Sequence, residues 1–332
     1  MTRWSRWSAG LGAVVWLGWL GAFSGGAEQG PIATLLLFAV LVLVPLGLPL
    51  AATPTRDGRH CWAYRAAVYA QPLCALLVLM SFVLPAGPIA ALLALPWLGI
   101  TGLLALFGLW RLRSRGLNCA AELCLDAGLV YLPIGGAWLV LARLGARPLA
   151  FADVIVLLTA VHFHYAGFLA PLLAALAGRA LPADRRIARL AYRVVAAGIV
   201  VGPPLLAAGF TLSPALRLLA ALVLAASVLG LAALTLVAVA PAVRPHVARW
   251  LLTVSALAVL VPMLFVAVYA VGEYAGAPAV TIPQMAQVHG WLNALGFALC
   301  GLLAWTLAAP DLRVGSGEQG TGTSVAIREA RP

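Results

Sequence analysis

The sequence predicts an all-α, polytopic transmembrane bundle of about ten spans, and three observations carry that prediction. The chain is 64% hydrophobic and 9% charged over 332 residues, with mean hydropathy +1.03; a soluble domain is roughly 45–50% apolar and about 25% charged. A protein core alone cannot hide that much apolar surface, so lipid must cover part of it. The apolar residues come in runs close to the ~20 that a helix needs to cross a bilayer. The 21 basic residues are all arginines and fall in short clusters between those runs. That arrangement is a topology signal, so the net charge of +11 argues for a membrane and against nucleic acid as a partner.

The runs fall at about 9–25, 31–53, 66–84, 88–110, 117–142, 148–178, 188–209, 214–240, 250–271 and 284–308. The first, within MTRWSRWSAGLGAVVWLGWLGAF, has the charge-then-apolar order of a signal peptide without a convincing cleavage site. It reads as a first membrane helix of signal-anchor type. With Arg3 and Arg6 placed in the cytoplasm, the clusters at Arg56–Arg65, Arg111–Arg115, Arg179–Arg189 and Arg244–Arg249 all fall on the same side. Only Arg143, Arg147 and Arg217 fall outside, which predicts cytoplasmic N and C termini. The sixth run is long and must tilt, bend or project. Residues 1–309 form one transmembrane domain on this reading. Residues 310–332, rich in Gly, Ser and Thr, read as a disordered cytoplasmic tail. The five cysteines form no tight pair and read as buried thiols.

The fifth run opens LNCAAELCLDAGLVYLPIGGAW and places Glu122 and Asp126 on one helix face. Asp126 lies about 13 Å past the boundary at 1.5 Å per residue. Two close carboxylates repel, and burial favours the neutral form, so they read as a proton-carrying pair. The alternative is that Glu122 reaches water or pairs with Arg113 or Arg115. Tyr131 and Trp138 follow on a helix loosened by Pro133, Gly135 and Gly136.

The sixth run carries AVHFHYAGF, with His162 near mid-span. A ring nitrogen there must find a protein partner, a ligand or a proton, and intramembrane ionisable residues are by default functional candidates. His162 and Tyr165 share a face. His164 points about 200° away from His162 on an α-helix, so the pair cannot share one metal unless the backbone unwinds. Gly167 and Pro171 are placed to bend the helix. Asp153 is expected to be solvated or paired with Arg147. In the ninth run Tyr269 and Glu273 are i, i+4, beside Tyr274, at a level where aromatics often anchor the interface. In the tenth, Met285, His289, Asn293 and Phe297 line one stripe, next to Gly290 and Gly296, small residues that allow close helix contact. Placed by depth, His289 and Glu273, then His162, His164, Tyr165, Tyr131 and Asn293, then Asp126 and Glu122 form a column. A bundle closing on it would enclose polar groups in apolar walls, with Trp138, Phe163 and Phe168 among the lining.

The runs ELCLDAGLVYLPIGGAW, LTAVHFHYAGF and MAQVHGWLNALGF resemble the YndJ-like family of bacterial membrane proteins over roughly residues 115–305. The resemblance implies a bacterial multi-pass membrane protein with these histidines as its signature: His162, His164, Tyr165, Phe168, His289 and Asn293. Through the label sometimes given to the family, it also implies a transporter. The four letters HFHY separately resemble a haem-ligating helix of haem-copper oxidase subunit I, but the other histidines of that pattern are missing.

Three functions follow as expectations. One is binding or transport of a small molecule, with the column as a polar or proton-linked path. Another is an intramembrane enzyme on a lipid-like, isoprenoid-type substrate, with His162, His164, Tyr165, Asp126 and Glu122 as acid–base groups. For it, His289, Asn293, Tyr131, Trp138, Phe163, Phe168, Tyr269 and Glu273 would bind the substrate. A third is a metal or haem site using His162 and His289 with Asp126 or Glu273. The sequence identifies no specific cofactor.

Overall fold

Proline and glycine set the shape of this bundle as much as hydrophobicity does. The computed structural model describes residues 2–23, 30–52 and 61–308; the expected tail at 310–332 lies outside the described residues. Ten helices run α1 Thr2–Phe23, α2 Gly30–Ala51, α3 Trp62–Val83, α4 Pro88–Arg115, α5 Ala120–Leu144, α6 Asp153–Ala180, α7 Arg186–Leu212, α8 Pro214–Ala242, α9 His246–Ala275 and α10 Ile282–Ala308. No strand occurs among the described residues. Nine of these helices, all but α1, are long and apolar enough to cross a membrane. α1 packs along the whole of α2.

α2 is apolar all round, and it is the most buried of the nine, as expected of a helix with no polar face. α1, α3, the first half of α6 and the start of α10 pack around it. Gly12 of α1 lets the two backbones meet, since a Cβ there would lie 2.0 Å from the Leu41 carbonyl oxygen. From α3 to α6 each helix packs on the next; α7 pairs with α8, α8 with α9, and α9 with α10.

Three of the long helices contain a π turn, at Ala39–Leu43, Tyr165–Leu169 and Thr235–Val239. Each ends two residues before a proline: Pro45, Pro171 and Pro241. Proline lacks an N–H and collides with the carbonyl four residues back. A wider i→i+5 turn moves that carbonyl aside, and π turns are a recognised way of bending a helix. α10 is π-helical over Met285–Gly290 and Leu292–Leu299 with no proline following.

Helix ends depart from the hydropathy reading where arginine is involved. α4 was expected over 88–110 but continues to Arg115, because arginine in a last turn complements the exposed carbonyls of the helix end. Gly116, at φ +73°, ends it in the left-handed region. α6 begins at Asp153, preceded by a short 3-10 turn at Pro148–Ala150, which takes up the excess length of the sixth run.

Candidate functional site

The ends of α4 and α6 and the start of α5 meet, and the carboxylates of α5 are claimed there by guanidiniums. Arg111, completely buried, donates from Nε to Asp126 Oδ1 at 2.6 Å and from Nη2 to Glu122 Oε2 at 2.5 Å. Arg179 grips Glu122 with two bonds of 2.8 and 2.9 Å, and Arg115 reaches the same carboxylate. Asp126 Oδ2 is buried with no hydrogen-bond partner. Buried charges persist only when paired, and here three arginines face two carboxylates. Hydropathy alone assigned Arg111 to a loop. Its spacing from Arg115, one helical turn, is the signal that both could serve one face of α4.

The second cluster surrounds His164, which is completely buried. Its Nδ1 lies 2.7 Å from the Ala160 carbonyl and must donate, since a carbonyl only accepts. Its Nε2 is then the acceptor for Trp97 Nε1–H at 3.0 Å, and the two rings stack with centroids 5.9 Å apart. This is one neutral tautomer with both nitrogens occupied. Gly135 of α5 makes the space: a Cβ there would sit 2.7 Å from His164 Nδ1. No lone pair is left for a haem or metal.

His162 points the other way and is exposed, though it lies midway along α6. Its Nδ1 donates to the Leu158 carbonyl at 2.8 Å. On α10, half-buried His289 donates from Nδ1 to the Pro262 carbonyl of α9 at 3.1 Å. Neither Nε2 has a hydrogen-bond partner among the described residues, and the two imidazoles lie within electrostatic reach of each other. Asp153–His164 and Met285–Gly290 both pack on the first half of α2. Gly290 lets α10 settle there, as a Cβ would meet the Leu35 side chain at 2.5 Å. Tyr165 donates its hydroxyl to the Leu35 carbonyl at 2.9 Å. Two imidazoles, each with an unpartnered Nε2 among the described residues, thus stand on helices that share the first half of α2.

The remaining candidates are dispersed. Asn293 donates back to the His289 carbonyl at 2.8 Å. Tyr131 donates to the Val200 carbonyl at 2.9 Å; that carbonyl has no helical partner because residue 204 is proline. Phe163 meets Tyr131 edge-on at 6.4 Å, Trp138 lies against Phe151, and Phe168 is fully buried in the core. Glu273 pairs with Arg217 at 3.4 Å, with Tyr269 beside them, and not with His289. Asp153 pairs with Arg147 at 2.6 Å. The single column therefore divides into an arginine–carboxylate cluster, a sealed imidazole, an open imidazole pair and a surface ion pair. Among the described residues no group of three His, Cys, Asp or Glu side chains could hold a metal ion.

The family described as YndJ-like protein matches residues 34–297, and the chain belongs to that family. It is 29% identical over 275 residues to the protein named "Uncharacterized membrane protein YndJ" from Bacillus subtilis (strain 168). The match covers 82% of this chain and 48% of that relative, so the chain spans about half its length. No solved structure matches.

Proposed function

We propose that this YndJ-like multi-pass membrane protein has a crevice between α6 and α10, over α2, and binds a small polar solute there. In this reading His162 and His289 accept hydrogen bonds from the solute and carry protons with it. One observation supports it above the others: two imidazoles from separate helices are each held by a backbone carbonyl with Nε2 left unpartnered. A carbonyl on Nδ1 fixes the tautomer and aims the other nitrogen. Two aimed acceptors in an apolar surround favour a ligand rich in donors, such as an amine or a polyol, or a proton. Carriage of that solute across the bilayer, with both termini in the cytoplasm, is the extended form of the proposal. The acid–base enzyme draws less support, because Glu122 and Asp126 are bound by arginines at the other cluster.

The chain has only five histidines, so 15N-imidazole spectra can be assigned by single substitution. Amines and polyols are expected to move the Nε2 resonances of His162 and His289, whose Nε2 atoms are unpartnered among the described residues, and to leave that of His164, which accepts from Trp97, in place. Resonances of His162 and His289 that no amine or polyol moves would overturn the proposal. For the ligand, amines and polyols that raise the melting temperature of the wild type should not raise that of His289→Ala.

A further inference from the structure

α1 carries two arginines, Arg3 and Arg6, at one end of an otherwise uncharged helix. Its first half lines an open groove of about 640 Å³, to which α3 contributes Pro72. Arg3 and Arg6 stand at the mouth, one turn apart, and neither has an ion-pair partner among the described residues. No acidic residue lines the groove. Below the arginines come Trp4 and Trp7, and then the exposed apolar side chains of Leu11 and Val14. Charge, then aromatic ring, then hydrocarbon is the order a phospholipid presents to a protein.

The dimensions fit one leaflet. From Arg3 to Val14 the helix rises about 16 Å, and half a bilayer core is about 15 Å. The groove is also structurally fixed. Trp4 Nε1–H donates to the Val68 carbonyl at 3.2 Å, which the helix cannot satisfy because Pro72 follows four residues later. Gly10 keeps the floor open, with nothing within 4 Å of a Cβ added there.

We propose that this groove seats an anionic phospholipid, with its phosphate on Arg3 and Arg6 and an acyl chain along Gly10, Leu11 and Val14. The interaction is independent of the imidazole crevice. Native mass spectrometry of the protein, released from micelles holding equal phosphatidylglycerol and phosphatidylcholine, tests it. A basic side chain near a membrane surface favours an anionic lipid by about fivefold, so two give about 30-fold. Arg3→Gln/Arg6→Gln is expected to carry one phosphatidylglycerol fewer than the wild type. Gly10→Leu, which leaves both charges in place, should lose the same lipid by filling the floor. Equal retention of the two lipids by the wild type, or an unchanged phosphatidylglycerol count in both variants, would overturn the assignment. So would a second copy of the chain occupying this face, seen as a dimer that Gly10→Leu disrupts without loss of lipid.

Discussion

His162 and His164 are two residues apart on one helix, yet they belong to different kinds of environment. α4 and α5 meet His164 with an indole N–H and a missing side chain at Gly135, and both of its nitrogens are consumed. His162 points the other way and is exposed, with Nδ1 on a carbonyl of its own helix and the lone pair of Nε2 left over. The comparison shows that burying an ionisable group in a membrane does not by itself make a site. What counts is the hydrogen-bonding capacity that the neighbouring helices leave unspent. The α4–α5–α6 seam spends almost all of its capacity, while the α2–α6–α10 crevice keeps some.

The seam should therefore be fragile to truncation and the crevice tolerant of it. The largest effect is expected for Arg111→Met, which strands Asp126 in the core; removing one partner of a buried pair costs about 3–5 kcal/mol. Thermal unfolding in detergent measures it, with the yield of folded protein as a second readout. Arg111→Met/Asp126→Leu should recover much of that loss, since replacing both charges with apolar groups is often close to neutral. A single variant as stable as wild type would show that the seam does not depend on its charges.

His164→Ala comes next. It removes a stacked, doubly bonded ring and leaves a hole, at about 2–4 kcal/mol. His162→Ala at an exposed position should cost less than about 1 kcal/mol while abolishing the proposed solute binding. Equal losses of stability at both histidines would erase the contrast. Gly135→Ala sharpens it from the other side. Its new methyl would press on His164 Nδ1, and overpacking of that kind costs about 1–3 kcal/mol. Gly10→Ala meets open space and should be no less stable than wild type.

Much of the bundle could be read from hydropathy, because each span must be apolar over the thickness of the membrane whatever its neighbours are. Nine helices among the described residues are long and apolar enough to cross, and each overlaps one of the runs although the ends differ. The pairing of Asp153 with Arg147 was also legible, as a short separation in sequence. The partners of the histidines were not. Trp97, Gly135 and Leu35 lie 67, 29 and 130 residues away from the histidine and tyrosine they serve, and nothing local marks them. Arg111 was missed for a different reason: hydropathy counts an arginine as a boundary, although a paired arginine can lie inside one. Placing polar groups by depth gave a column, but depth does not say which side of a helix faces which neighbour. The carboxylates and the crevice imidazoles are engaged by different sets of helices.

The smallest expected effect tests whether tyrosines in this bundle serve ligand or backbone. Tyr131 was a candidate for substrate contact, but its hydroxyl lies 2.9 Å from the Val200 carbonyl. That carbonyl would normally accept from residue 204, which is proline and has no N–H to give. Tyr131→Phe should therefore cost the value of one interhelical hydrogen bond, about 0.6 kcal/mol in a membrane and not more than about 1.7. The decisive comparison is with Pro204→Ala, which supplies the missing N–H. If the tyrosine exists to satisfy that carbonyl, Tyr131→Phe becomes nearly neutral in the Pro204→Ala background, and the cycle shows a coupling close to the whole single-variant loss. If it is held for a ligand, the cost is independent of residue 204. Tyr165, which donates to the Leu35 carbonyl where no proline follows at that spacing, gives the control, since its loss should be unaffected by Pro204→Ala.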